Sequence, residues 1–347
     1  MSTQNRQDRF VKQSFAGALA VKETGASPQS LDRILAEGSK SFNAASKLLP
    51  RRIRRPVTAL YAFCRISDDA VDDARDPMRA LDGLYRRLDD IYDGSRVNPP
   101  LDQAFLETVE TYRIPKALPA ALFDGYAWDA AGKRYDTIED TTDYCARVAS
   151  TVGVMMTLIM GERRKEVLAR ACDLGIAMQL VNICRDVGED ADMGRVYLPS
   201  EWLREVGIDR DAFLAHPVFT PALGTVVERT LATAKRHFDL ADIGISRLPA
   251  DSRLAIRAAS LIYADIGRVI RRNGYDSISV RAHTSTFRKL WLCARSVGAR
   301  FWAPRPNDVP PNPSVRFLID AVAADRKDLL TESSEHEEAA IEEVATL

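Results

Sequence analysis

The chain is poor in the features that sort proteins quickly. Its four histidines, His216, His237, His283 and His336, stand too far apart for a zinc motif. Its five cysteines, Cys64, Cys145, Cys172, Cys184 and Cys293, are odd in number and form no CxxC, so reduced thiols are expected rather than a disulfide framework. No GxGxxG fingerprint occurs, which removes the case for a Rossmann domain holding a nicotinamide cofactor. A formal net charge of -1 over 347 residues offers no overall field for nucleic acid. The opening MSTQNRQDRFVKQ lacks the apolar core of a secretory signal. No uninterrupted apolar run is long enough to span a bilayer, so a cytoplasmic location is expected, with any membrane contact peripheral to the inner membrane.

What the sequence does have is helical periodicity. Strand-like alternation is confined to short pieces such as Ser277–Val280. The spacing of apolar residues predicts helices over 29–48, 56–74, 78–93, 101–112, 116–131, 141–160, 164–188, 220–247, 251–273 and 285–302. Prolines such as Pro56, Pro77, Pro115, Pro221 and Pro249 fall near their starts or between them. The segment 164–188 is apolar nearly all round, as expected of a central helix in a large bundle. No Gly-, Ser- or Pro-rich break divides the chain before Ala303. One domain over 1–302 is therefore expected, followed over 303–347 by a Pro-rich linker (APRPNDVPPNP) and an acidic C-terminal tail.

Two acidic clusters carry the chemistry. In Tyr61-Ala-Phe-Cys-Arg65-Ile-Ser-Asp68-Asp69-Ala-Val-Asp72-Asp73, Asp68 and Asp72 are four residues apart and share one helix face. Like charges at that spacing destabilise an isolated helix, and a divalent cation would reverse the penalty. In Gln179-Leu-Val-Asn182-Ile-Cys-Arg185-Asp186-Val-Gly-Glu189-Asp190, the residues Gln179, Asn182, Asp186 and Asp190 form a polar stripe among Leu174, Ile176, Met178, Leu180, Val181 and Ile183. Polar groups on so apolar a helix are costly to bury without partners. Either cluster alone reads as a solvated acidic face. Two of them, each with an arginine one to three residues before its first aspartate, point to a site for a cation and a diphosphate. Asp190-Ala-Asp192-Met-Gly194 resembles the start of an EF-hand loop, but its glycine is one place early and Arg195 occupies the tight-turn position.

Magnesium alone would leave two diphosphates undercompensated. Arg65, Arg185 and Arg195 stand beside or just after the clusters and offer bidentate hydrogen bonds to phosphate, although each could equally pair with its neighbouring aspartate. Gly38-Ser39-Lys40-Ser41-Phe42 adds hydroxyls and a lysine. The basic, aromatic stretch 285–302 has the composition of an interfacial helix, and equally of a helix packed on the bundle with a basic outer face.

With these pieces laid out, the chain resembles the squalene/phytoene synthase family. The matching segments are SKSF (39–42), YAFCRISDDAVDD (61–73), YCARVASTVG (144–153), QLVNICRDVGEDADMGRVYLP (179–199) and FRKLWL (287–292), which together cover about residues 38–295. The resemblance implies an all-α isoprenoid-synthase helical bundle around a central cavity. It implies metal ligands Asp68 and Asp72 on one wall and Asn182, Asp186 and Asp190 on the other, with Mg2+ the expected ion and Mn2+ a substitute. Ser39, Ser41, Phe42, Tyr61, Arg65, Tyr144, Gln179, Asn182, Arg185, Arg195, Tyr197 and Tyr263 would bind substrate, and Tyr61 and Arg65 would join Asp68, Asp72, Asp186 and Asp190 in catalysis. RVYLP and RKLWL are most similar to the bacterial members that condense two geranylgeranyl diphosphates to a C40 product. That reading expects no NADPH, prenyl diphosphates as partners, no nucleic acid, peripheral membrane contact and a downstream carotenoid enzyme. A squalene or dehydrosqualene synthase acting on farnesyl diphosphate, and a non-catalytic member serving as an assembly factor, stay open here. Ser150 stands where many members carry glycine.

Overall fold

The computed structural model describes residues 47–95, 97 and 101–325. The helix expected over 29–48 and the candidates Ser39, Ser41 and Phe42 lie outside these residues. No strand occurs among the described residues, and all five cysteines are free thiols.

Four helices form one side of the molecule: α1 (Arg51–Asp72), α2 (Pro77–Tyr92), α3 (Leu101–Tyr112) and α4 (Ala117–Ala130). α1 begins five residues before the expected start, with Pro50 as its N-cap. Pro56 therefore sits inside its second turn, where the missing N–H withholds the donor that the Arg52 carbonyl would otherwise receive. The back of α1 packs Phe63 against Phe105 of α3, ring centroids 3.8 Å apart and nearly parallel, and against Phe123 of α4. That packing fixes the rotation of α1, so Tyr61, Arg65, Asp68 and Asp72 face the interior cavity.

α5 (Ile138–Cys145) starts with a capping box between Thr137 and Asp140. The sequence predicts one continuous helix to residue 160. Instead a π-helical turn, Ala146–Ser150, separates α5 from α6 (Thr151–Ile159). The reason is close approach of α7 (Lys165–Arg185). A Cβ on Gly175 would lie 2.7 Å from both the Cα and the N of Ser150. Ser150 is buried and donates from Oγ to the Cys172 carbonyl at 2.8 Å.

α7 is the central helix and packs on the π turn, α6, α11 (Pro221–Ile245) and α12 (Ala250–Arg272). By length and composition it is apolar enough to cross a membrane, but most of it is buried inside the bundle. Its sequence explains that place: apolar residues on all sides, with Arg170 and Asp173 paired at 3.1 Å, 1% and 2% exposed. The expected 164–188 helix is interrupted at Asp186, which ends α7 and opens α8 (Val187–Asp192). The Asp190 amide still donates to the Asp186 carbonyl at 2.8 Å, so the four-residue relation survives the break. Two short helices, α9 (Ser200–Glu205) and α10 (Arg210–Ala215), have too little periodicity to be read from sequence.

α13 (Thr286–Ser296) continues into a 3-10 turn, Val297–Phe301. Residues 303–312 then run without regular structure and are held to the bundle by side chain–backbone bonds. Arg247 donates to the Arg305 carbonyl (2.9 Å), Asn307 to that of Glu166 (2.9 Å) and Arg170 to that of Pro310 (3.2 Å). A 3-10 turn, Pro313–Val315, and a helix over 316–325 follow, burying Val315, Leu318, Ile319 and Val322.

Candidate active site

A cavity of about 970 Å³ runs through the bundle. One stripe of α1 lines it from Val57 through Leu60, Tyr61, Cys64, Arg65 and Asp68 to Asp72, and one stripe of α7 lines it from Val167 and Arg170 to Asp186. The sixteen steps from Arg170 to Asp186 correspond to about 24 Å of helix. One end is polar. The other is lined by groups such as Met156, Met160, Leu174, Ile245 and Leu248.

At the polar end the two acidic clusters meet. Arg195, just after α8, donates from Nη2 to Asp72 Oδ1 at 2.8 Å, joining stretches 123 residues apart. Asp68 and Asp72, not Asp69 and Asp73, face the cavity. Asp69 takes Arg65, at 2.7 Å, and Arg65 lies 3.8 Å from Asp68. On the opposite wall Arg185 pairs with Asp186, which also accepts from Arg281 Nε at 2.9 Å, and Arg281 reaches Glu189 at 3.2 Å. The two readings of these arginines, as ion-pair partners and as cavity residues, therefore hold together.

Electrostatics single out two carboxyls. Burial, reinforced by neighbouring Asp72, pushes Asp68 up to about 7. Burial and then Asp186 push Asp190 up to about 8, against the pull of Arg195. Burial would raise Asp186 as well, but Arg185 and Arg281 reverse it and hold the group low. Tyr61 is pushed up to about 12, mainly by burial, so its hydroxyl is a neutral donor.

Every candidate within the described residues lines this one cavity: Tyr61, Arg65, Asp68, Asp72, Tyr144, Gln179, Asn182, Arg185, Asp186, Asp190, Arg195, Tyr197 and Tyr263. The structure adds Asp129, Glu189, Arg281, His283 and Lys289 to the lining. Asp129 accepts the hydroxyls of Tyr144 (2.7 Å) and Tyr197 (2.8 Å), whose rings stack at 4.7 Å. It thus fixes both tyrosines at the edge of the acidic cluster.

The donors suit a small hard cation. Asn182 donates to Gln179 Oε1 at 3.2 Å, while its own Oδ1 is buried without a partner. That oxygen and the mutually repelling pairs Asp68/Asp72 and Asp186/Asp190 are ligands magnesium accepts when phosphate and water complete its shell. Among the described residues no three His, Cys, Asp or Glu side chains gather closely enough to hold an ion alone. The candidate ligands are instead divided between the two walls, Asp68 and Asp72 on one and Asn182, Asp186 and Asp190 on the other.

An all-α bundle enclosing a long apolar slot, closed at one end by acids and arginines, makes this protein an all-α isoprenoid synthase. The chain belongs to the squalene/phytoene synthase family, whose model matches residues 35–288. The phytoene synthase of Rhodobacter capsulatus is 48% identical over 299 residues, covering 84% of this chain and 88% of that protein. The phytoene synthase of Cereibacter sphaeroides is 47% identical over 83% of this chain and 86% of its own length. Among solved structures, a dehydrosqualene synthase bound to a ligand superposes with a TM-score of 0.71 at 30% identity, covering 77% of this chain and 93% of that one. A squalene synthase of Alicyclobacillus acidocaldarius gives 0.66 at 27% identity, covering 71% and 94%.

Proposed function

We propose that this protein is a phytoene synthase. It joins two geranylgeranyl diphosphates head to head, through prephytoene diphosphate, to phytoene. The observation that carries the reading is the 48% identity, across 84% of the chain, to a protein of that name. The unbroken acid and arginine lining of the cavity agrees with it.

Arg65, Arg185, Arg195 and Arg281 receive the diphosphates as charge-assisted donors, releasing the carboxylates they pair with in the free protein. Asp68 and Asp72 on one wall, and Asn182, Asp186 and Asp190 on the other, would hold Mg2+, for which Mn2+ can stand in. When bound, the metal neutralises the leaving diphosphate and so favours its departure. Breaking the first C–O bond leaves an allylic cation. A double bond of the second substrate attacks it, and loss of one proton closes a cyclopropane. A second C–O cleavage, rearrangement and loss of a second proton give the hydrocarbon. The atoms balance with two diphosphates and two protons released, and no reductant is consumed. The chain's contribution is placement. The apolar walls hold two long tails together and keep water from the cations, while Asp129 fixes Tyr144 and Tyr197.

The test is incubation of purified protein with Mg2+ and either geranylgeranyl or farnesyl diphosphate, without NADPH, followed by chromatography. A C40 hydrocarbon with a central conjugated triene is expected from the former. A C30 product from farnesyl diphosphate, with none from geranylgeranyl diphosphate, would overturn the reading in favour of a dehydrosqualene-type reaction.

A further inference from the structure

Beside the polar mouth of the cavity lies a face that no other part of the described fold covers. From Ser277 to Asn307 the sequence contains no aspartate or glutamate, but it contains Arg281, Arg288, Lys289, Arg295, Arg300 and Arg305. The same stretch concentrates exposed apolar groups: Phe287 (87% exposed), Leu290, Trp291, Val297 and Phe301 (81%). Single exposed apolar residues are ordinary, whereas a contiguous set marks a contact surface. Positions 287, 290, 291, 297 and 301 fall on one outward stripe of α13 and its 3-10 extension, while Leu292, Ser296 and Ala299 turn inward.

The stripe is rigidly mounted. Buried Asp265 of α12 accepts Arg288 Nε at 3.0 Å and Arg268 Nε at 2.6 Å. The guanidinium groups of Arg288 and Arg295 lie over the Trp291 ring, 4.3 and 4.9 Å from its centre. It also adjoins the cavity directly. Arg281, His283 and Thr284, just before α13, and Lys289, within it, line the slot.

We propose that α13 and the turn Val297–Phe301 dock on an anionic lipid surface, seating the cavity mouth against the bilayer. A basic rim around exposed aromatic side chains is complementary to acidic headgroups over an acyl layer. The orientation gives a water-insoluble product a short route out of the slot. That last point rests on the phytoene reading, whereas the docking itself does not.

The test is flotation of the full chain with vesicles of phosphatidylcholine alone or mixed with phosphatidylglycerol. Binding to the anionic vesicles is expected, weakened by salt. It should fall by about tenfold or more in F287S/W291S/F301S and in R295E/R300E. Turnover of detergent-dispersed substrate should be unchanged in both variants, which also reports that they fold. Equal flotation with neutral vesicles, or undiminished flotation of both variants, would overturn the proposal. So would a dimer in sedimentation equilibrium that F287S/W291S/F301S dissociates, since the face would then belong to a second copy. Flotation needs no substrate, so failure of the activity assay alone would count against the phytoene reading and not against this one.

Discussion

Among the described residues, Asp68 and Asp190 are carboxyls that burial and a neighbouring aspartate push well above the ordinary range. Each faces a carboxylate four residues away. Asp190→Asn or Asp68→Asn should lower the rate of product formation by about a hundredfold or more, the usual cost of losing one electrostatic contact to a transition state. Chromatographic product rates on variants with unchanged circular dichroism check this; near-normal turnover would displace the site. The shifts also set a pH dependence. An unfolded aspartate titrates near 3.8, so between that value and about 7 to 8 the folded protein binds more protons than the unfolded one. The stability these two groups contribute is present in acid and fades as pH rises through their folded values. Asp186, held low, contributes in the opposite sense, and its share is lost on acidification below the ordinary carboxylate range. Without ligands, the melting temperature should therefore fall from about pH 4 to about pH 8 and level off above that, and Mg2+ with inorganic diphosphate should restore it most at the alkaline end. A flat profile with no such restoration would contradict the assignment. The acidic pairs were legible because their spacing is itself the signal. Asp129 was not, since its partners Tyr144 and Tyr197 lie 15 and 68 residues away and nothing local marks it.

Among the elements, the long helices follow from apolar periodicity, and their interruptions do not. The π turn at Ala146–Ser150 is imposed by α7, whose Gly175 admits the Ser150 backbone where any side chain would collide. The kink at Asp186 is similarly tertiary, with the Gly188 amide reaching the Ser277 carbonyl at 3.3 Å. A sequence carries periodicity locally, but such contacts join segments far apart in the chain. Gly175→Ala should cost about 1–3 kcal/mol, because the obstructing atoms are backbone and overpacking there has no outlet. Equilibrium urea unfolding would measure it. A neutral result would mean that α7 and the π turn can separate without penalty.

At the scale of the whole molecule, the apolar character of 164–188 told correctly that this helix lies at the centre. The ion pair inside it was not legible as such. Asp173, 2% exposed, accepts or shares a proton with His237 Nδ1 at 2.7 Å and faces Arg170 Nε at 3.1 Å. Asp173→Leu would leave a guanidinium buried without its counter-ion and should destabilise the protein by about 3–5 kcal/mol, read as a shift in the urea midpoint. A smaller change, within about 1 kcal/mol, would show that water reaches Arg170.

The bond from Arg170 to the Pro310 carbonyl has a practical meaning for where the chain can be shortened. A protein ending at Trp302 would retain the acids and arginines of the mouth, yet it would lose the carbonyl that Arg170, a lining residue at the apolar end of the slot, is bonded to. Arg170 would then need water in place of that carbonyl, and reactive cations generated at one end would share their chamber with it. Such a truncated enzyme should consume substrate while diverting it to alcohols.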